Sequence, residues 1–574
     1  MVFCMLGILR FSTTSSDHAL AISGTDDLDL IFEDERLSLF HENGVQVSVS
    51  RGDLNLGAMV GKALDLDAPV ADPATLRRLA VDLEGAWACL AYDSESGQIT
   101  FAVDRLGYRR FYLYRSQEAL FFSTDLGVLA RHLEVGEFDL DAITEMIDYR
   151  WLVRGKSPIA GVEFLVSATH LTVCGDGSSK RESYWTYPIQ KPTHRRHAPS
   201  LVATTGDLLR SRFTKLAERY SDVAVSLSGG VDSAIMLALA KEHFKNVTAY
   251  TSCWTIGENP ELEHAQRFAE HVGARHEIVT LTQADIKRIF YELPQLLHQI
   301  TRHFSSIPQC AILQAVKPST DLFLYGEGAD LMFGGEDTYQ AIYLNKLRLA
   351  QTIPPGLRKM LVKFIPPQVY RRSEHIRSIV GVLNDDMQSA FNRISKVYYY
   401  TSPHELYDFW RERDGVHQIF PSSAGGEEMH QRCAKMIIET DGLDHLYLLS
   451  AMMGNRDYAL DSPFSSKQMI EFAGTIHSKL KFGDVFKPIL RELGAEFFPR
   501  DWMYTPKHGF TTPKLEWMRD IFGEDVEALT KKTNHFVDGG RLVELNVERD
   551  YETLWTALSL EALGDMFARE RLSR

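Results

Sequence analysis

The sequence predicts two α/β units: a β-layered α+β domain over residues 1–195, then a parallel-sheet α/β domain over 200–574 that carries a helical extension. Three observations predict this. Up to about residue 135, short β-prone runs alternate with Gly, Asp and Asn turns. From about residue 200 the pattern changes to strands alternating with helices, which implies a parallel sheet covered on both faces. Between them, residues 186–200 (TYPIQKPTHRRHAPS) are polar, basic and Pro-containing, as a linker is.

In the first domain, β-like runs fall at Leu6–Phe11, Ala88–Tyr92, Ile99–Val103, Phe111–Arg115 and Ala119–Ser123. In the second, a helix over 201–219 precedes a first strand at Val223–Leu227. A strand at Val247–Cys253, an amphipathic helix over Glu261–Val272, and strands at Glu277–Leu281 and Asp321–Tyr325 follow. Beyond about 340 the pattern is strongly helical.

Composition narrows the partners. Of 574 residues, 44% are hydrophobic and 24% charged, which suits a globular chain, and the net charge is −15. With no basic block, nucleic acid and anionic membranes are not expected partners. No apolar run reaches the roughly 18 residues of a membrane span, and MVFCMLGILRF reads as a buried first strand, not a signal peptide. Cys4, Cys89, Cys174, Cys253, Cys310 and Cys433 are scattered without a CxxC pair, which fits a reducing cytoplasm. Two fragments are set aside. Arg154-Gly155-Lys156-Ser157 has Arg150 where a Walker A loop needs its first Gly, and His194 and His197 lack acidic or Cys partners for a metal.

The densest signal is VAVSLSGGVDSAIML, residues 223–237. A strand, a glycine turn and a helix start in that order form an anion site, because backbone N–H groups and the helix dipole face the turn. Ser228 and Ser233 add hydroxyls. No Lys follows Gly229 and Gly230, so this is a pyrophosphate-gripping loop and not a Walker A loop. Asp232 would repel phosphate unless a divalent cation lay between them, which argues for magnesium. In FLYGEGADLMFGG, residues 323–335, Asp330 follows a second strand-end glycine turn at Gly326 and could supply a second carboxylate to that magnesium. In YTPKHGFTTPK, residues 504–514, Lys507 is a loop cation suited to a charged transition state.

Together these motifs resemble the asparagine synthetase superfamily, and the resemblance covers nearly the whole chain. LEGAWACLAYDSESGQITFAVDRLGYRRFYLY (83–114) is similar to the end of its glutaminase-type domain, with the D-R-x-G pattern at Asp104, Arg105 and Gly107. SLSGGVDSA, ELEHAQRFAEHVGARHEIV, GEGAD, DSPFSS, FKPILREL and PKHGF follow in family order. The resemblance implies an N-terminal-nucleophile-type first domain and an ATP-pyrophosphatase-type second one. It implies ATP and magnesium, cleavage of ATP to AMP and pyrophosphate, an acyl-adenylate, and its capture by an amine. On this reading Ser228, Gly229, Gly230, Ser233 and Gly326 hold phosphates, Asp232 and Asp330 bind magnesium, and Ser252 lines the adenine site. Lys507 steadies the transition state, helped by Lys487.

The departures from the family are specific. Glutamine-hydrolysing members begin Met-Cys-Gly-Ile; aligning Gly7-Ile8 puts Leu6 at the cysteine, and Cys4 lies two residues away. No counterpart of RGPD or NGEIYN is evident, so the first domain is expected to lack glutaminase activity and to be structural. β-Lactam synthetases carry a Tyr at the position of Glu327, paired with a Glu near His445; asparagine synthetases carry a Glu there and an ExRxPF run, where this chain reads Ala459-Leu460-Asp461-Ser462-Pro463-Phe464. Lasso-peptide cyclases usually lack the GEGAD glutamate. Glu327 and His445 are therefore expected to form an acid/base pair that deprotonates the attacking amine. The expected substrate is a small amino-carboxylate, with intramolecular ring closure of the β-lactam synthetase kind as product. An ammonia-dependent primary-amide synthetase and an inactive nucleotide-binding scaffold remain as alternatives, and a homodimer is left open.

Overall fold

A computed structural model describes most of residues 5–335, then 352–364, 443–505, 512–532 and 547–572 with short interruptions, plus a small hairpin and a few single positions. Cys4, Lys507 and most of 365–442 lie outside the described residues.

Among the described residues the first domain holds twelve strands: β1 Met5–Arg10, β2 Leu28–Glu33, β3 Leu37–Glu42, β4 Ser48–Arg51, β5 Asn55–Ala63, β6 Gly85–Asp93, β7 Gln98–Val103, β8 Tyr112–Arg115, β9 Ala119–Ser123, β10 Val162–Phe164, β11 Thr169–Val173 and β12 Ser179–Ser183. They form two antiparallel sheets, ordered β10-β8-β9-β1-β3-β2 and β12-β11-β7-β6-β5-β4. Alternation along each strand decides what lies between the layers. Met5 and Leu9 of β1 join Leu90, Phe101 and Val103 of the second sheet in a shared core. Leu6 and Ile8, one residue out of phase, face helices α2 (Leu126–Leu133) and α3 (Leu140–Tyr149). Helix α1 (Pro73–Leu79) covers the other outer face through Leu76, against Trp87 and Ala91. The domain is therefore a helix–sheet–sheet–helix sandwich.

The expected linker is not loose where it is described. Gln190 Nε2 donates to the Glu471 carbonyl at 2.6 Å, and the His194 backbone bonds to Thr475 and His477. These bonds seam residues 190–194 onto the second domain, whose first helix, α4, begins at Pro199 and ends at Ala217.

The second domain has a five-stranded parallel sheet, β13 (Asp222–Ser226), β14 (Asn246–Trp254), β15 (Arg275–Leu281), β16 (Leu322–Leu324) and β17 (Ala459–Asp461), in the order β15-β14-β13-β16-β17. The sequence marked the first four. β17 was missed because a three-residue strand carries too little period to read and lies 134 positions after β16 begins to lead out of the sheet, from 325 to 459. Helices α5 (Val231–His243), α6 (Leu262–His271), α7 (Gln283–Leu297), α8 (Ser306–Ala315) and α9 (Ala329–Phe333) link or flank these strands. Chain order reverses between β13 and β16, where open α/β sheets form a crevice at the strand carboxyl ends. After 443 the described chain is mostly helical, from Leu443–Met452 to the 26-residue helix Val547–Leu572. Among the described residues no helix is long and apolar enough to cross a membrane.

Candidate active site

Both glycine turns open into that crevice. Residues from β13, β14, β16 and the helix Leu443–Met452 line one cavity of about 380 Å³, including Ser228, Gly230, Asp232, Ser233, Ser252, Gly326, Glu327, Asp330 and His445. The sequence leads one to expect both glycine turns to face one site, and in the structure both line this cavity together with Glu327 and His445.

The first turn is shaped by close approach. Gly229 has φ 76°, and a Cβ there would lie 2.6 Å from the Glu261 carbonyl oxygen, so a side chain would meet both backbone strain and a clash. Gly230 caps α5 without a side-chain bond to the helix N–H groups, so the positive end of the 13-residue helix faces the cavity. Ser233 braces the turn from within: its hydroxyl donates to the Gly230 carbonyl at 3.0 Å and accepts from the Ser228 N–H at 3.1 Å. The Ser252 hydroxyl, on β14, is buried and finds no hydrogen-bond partner among the described residues. A buried polar group of that kind in a cavity wall suits a ligand contact.

The second turn rests on the DSPFSS segment. Ser462 and Ser465 both donate to the Glu327 carbonyl, the latter at 3.0 Å. Gly328, at φ 86°, lets the turn press onto Ser465, whose Oγ would lie 2.2 Å from a Cβ. Beneath it, Asp461 forms a bidentate ion pair with Arg212 of α4 at 2.8 and 3.0 Å, both side chains buried. The residue that stands where relatives carry the Arg of ExRxPF thus has a structural partner and does not face the cavity.

Lys487 bridges the two turns. It is 4% exposed and occupies the left-handed region at φ 56°, a conformation costing about 1–2 kcal/mol for a side chain with a Cβ. Its ammonium contacts the Asp232 carboxylate and lies 2.9 Å from Asp330 Oδ1. These two carboxylates hold its pKa above the usual lysine value against the opposing effect of burial. The two carboxylates therefore reach one cation position. Such a donor set fits magnesium, which takes one or two carboxylates and completes its shell with water and phosphate oxygens; Asp232 and Asp330 are the residues that would hold it. Among the described residues no group of three or more His, Cys, Asp or Glu side chains is placed to hold a metal alone.

Glu327 and His445 are also brought together, with Glu327 Oε2 3.7 Å from His445 Nδ1. His303, unmarked in the sequence, lies behind them: His445 Nε2 is 3.1 Å from His303 Nδ1. Nothing local distinguishes His303, which becomes visible only when a loop before α8 meets a helix 142 residues further on.

Lys507 lies outside the described residues, but the chain on either side is fixed. Arg491, in the FKPILREL motif, donates to the carbonyls of Met503 and Thr505, and Pro513 packs on Gly257, just past β14.

Comparison with known proteins gives the family. The profile described as glutamine amidotransferase domain matches residues 77–185. Asparagine synthetase [glutamine-hydrolyzing] 1 of Bacillus subtilis is 22% identical over 463 residues, covering 79% of this chain and 71% of that one. Asparagine synthetase [glutamine-hydrolyzing] 3 of the same organism is 24% identical over 275 residues, 44% of each chain. Among solved structures, the NH3-dependent NAD synthetase of Campylobacter jejuni aligns with a TM-score of 0.19 and 19% identity over 24% of this chain and 61% of that one. The asparagine synthase profile matches residues 206–564, more than half of the chain and all five strands of the parallel sheet, so the chain belongs to the asparagine synthase family.

Proposed function

We propose that the protein adenylates the carboxylate of a small amino-carboxylate and closes an amide ring within that molecule, a β-lactam-type cyclisation in natural-product biosynthesis. The coarser part follows from family membership: the chain is an ATP-dependent, AMP-forming carbon–nitrogen ligase. The observation that carries the reading is the convergence on one cavity of both glycine turns, whose Asp232 and Asp330 carboxylates Lys487 bridges, and the Glu327–His445 pair. The backbone of Gly229 and Gly230, the α5 N-terminus and the Ser228 hydroxyl favour the triphosphate. A substrate carboxylate oxygen attacks the α-phosphorus and the bond to pyrophosphate breaks; Lys487 offsets charge on the leaving group. Magnesium, when bound by Asp232 and Asp330, would supply further charge neutralisation there. The substrate amine then attacks the acyl carbon, the bond to AMP breaks, and Glu327 takes the ammonium proton.

An internal amine is favoured over ammonia by the first domain. At the position where glutamine-hydrolysing relatives carry cysteine, Leu6 is 1% exposed and packs into the apolar layer under α2 and α3. Leucine has no group to form a thioester, so this reading needs no ammonia from glutamine.

The test is pyrophosphate release from ATP and magnesium, screened against diamino acids, N-carboxyalkyl amino acids and aspartate, with and without ammonium. Turnover with one amino-carboxylate and no ammonium is the expected result. Turnover that requires ammonium would return the protein to primary-amide synthesis, and ATP binding with silence throughout would favour the scaffold alternative.

A further inference from the structure

Behind the Glu327–His445 pair stands a second histidine that does not line the cavity. His445 Nδ1 faces the Glu327 carboxylate at 3.7 Å, while His445 Nε2 faces His303 Nδ1 at 3.1 Å. A lone pair pointed at a carboxylate is repelled and an N–H is attracted, so the carboxylate favours the proton on Nδ1 of His445. Neutral His445 then has an acceptor at Nε2, which is satisfied if His303 donates its Nδ1–H. The two rings meet at 4.3 Å and 68°, so the contact also fixes their mutual orientation.

His303 is itself held firmly. Its N–H donates to Thr301 Oγ1 at 3.2 Å, and its carbonyl accepts the Ser306 N–H at 3.0 Å. The Thr301 carbonyl accepts from Trp555 Nε1 at 2.9 Å, and Phe304 stacks on the Trp555 ring at 3.9 Å. The long helix Val547–Leu572 therefore anchors the turn that carries His303.

Resting on the reading of Glu327 as base for the attacking amine, we infer that His303 is a positioning residue. It holds His445 in the Nδ1–H tautomer, and the His445 N–H in turn faces and orients the Glu327 carboxylate. The hydrogen bond runs from His303 Nδ1–H to His445 Nε2, with His445 Nδ1–H facing the Glu327 carboxylate at 3.7 Å.

The decisive measurement needs no substrate. Full-length protein carrying ring-15N histidine is examined by long-range 1H–15N correlation near neutral pH, with the His445 signals identified by their loss in His445→Gln. The wild type should show His445 as Nδ1–H. His303→Phe should move it toward the Nε2–H tautomer, and His303→Asn, whose amide can donate near the position of Nδ1, should restore the original pattern. A His445 signal unchanged in His303→Phe, or an Nε2–H tautomer in the wild type, would overturn the inference. With any substrate that releases pyrophosphate, His303→Phe should keep pyrophosphate release while lowering amide formed per pyrophosphate by about 10-fold or more, and His303→Asn should recover most of it. A tautomer that responds while this ratio stays constant would overturn Glu327 as the base and leave the His303–His445 geometry intact.

Discussion

Lys487 and Asp330 are joined by a 2.9 Å ion pair, although 157 residues separate them in the chain. With Asp232 on its other side, the ammonium binds the ends of β13 and β16 across the point where the sheet reverses its order. The cation that balances the turns in the structure is thus supplied by the FKPILREL motif.

Replacing Lys487 with Met should leave two facing carboxylates without that cation. We expect a loss of up to about 3 kcal/mol, the low end for a broken buried pair because Asp330 is a third exposed. Chemical denaturation measures it, and pyrophosphate release should fall at the same time. Normal release would remove Lys487 from the chemistry.

Ser252→Ala removes a hydroxyl that no described residue satisfies. Stability should hold or rise slightly, while the Kd for ATP, measured by calorimetry, should weaken by roughly 10-fold, about 1.4 kcal/mol. An unchanged Kd would mean that this hydroxyl is not an ATP contact.

Gly229→Ala should cost more than its single methyl suggests, because φ 76° and the Glu261 carbonyl both oppose it. The turn must shift, so ATP affinity should fall sharply with little change in the first domain. Retention of affinity would show that the phosphates do not need this backbone path.

Asp104 yields a pH test. Burial pushes its carboxyl up to about 7, against the opposing effect of N–H donation from Arg109, Tyr108 and Leu106. The folded state then binds the proton more tightly than the unfolded state, with its model value of 3.8. Its contribution is fully present below about 4, declines as pH rises toward 7, and is flat above. The stability of wild type minus Asp104→Asn should therefore fall across that window. A difference that stays flat across that window would mean that Asp104 is ionised in the fold throughout.

Much of the site could be read in advance because its parts are local. A strand, a glycine pair and a helix start are contiguous, so SGGVDS and GEGAD declare their geometry within a few residues. Their meeting on one cavity follows from adjacent strand ends. What could not be read depends on distant pairing. His303 needs His445, and Asp461 needs Arg212, 249 positions earlier. β17, too short to show a period, earns its place only beside β16. The sequence marked Leu6 as a buried strand residue, but its packing against α2 and α3 required the sandwich.

The first domain also touches the cavity wall from behind. Tyr325, between β16 and the GEGAD turn, donates its hydroxyl to Tyr108 of the D-R-x-G loop at 2.6 Å, and β17 packs on β5 and β6. Leu106, Tyr108 and Ala86 belong to the same buried cluster as the parallel sheet. A chain cut at the linker would expose this apolar seam and leave two tyrosines facing water, so the second domain is not a removable engine. Whatever chemistry the first domain carries, its Tyr108 loop and strands β5 and β6 serve as the masonry behind one wall of the cavity.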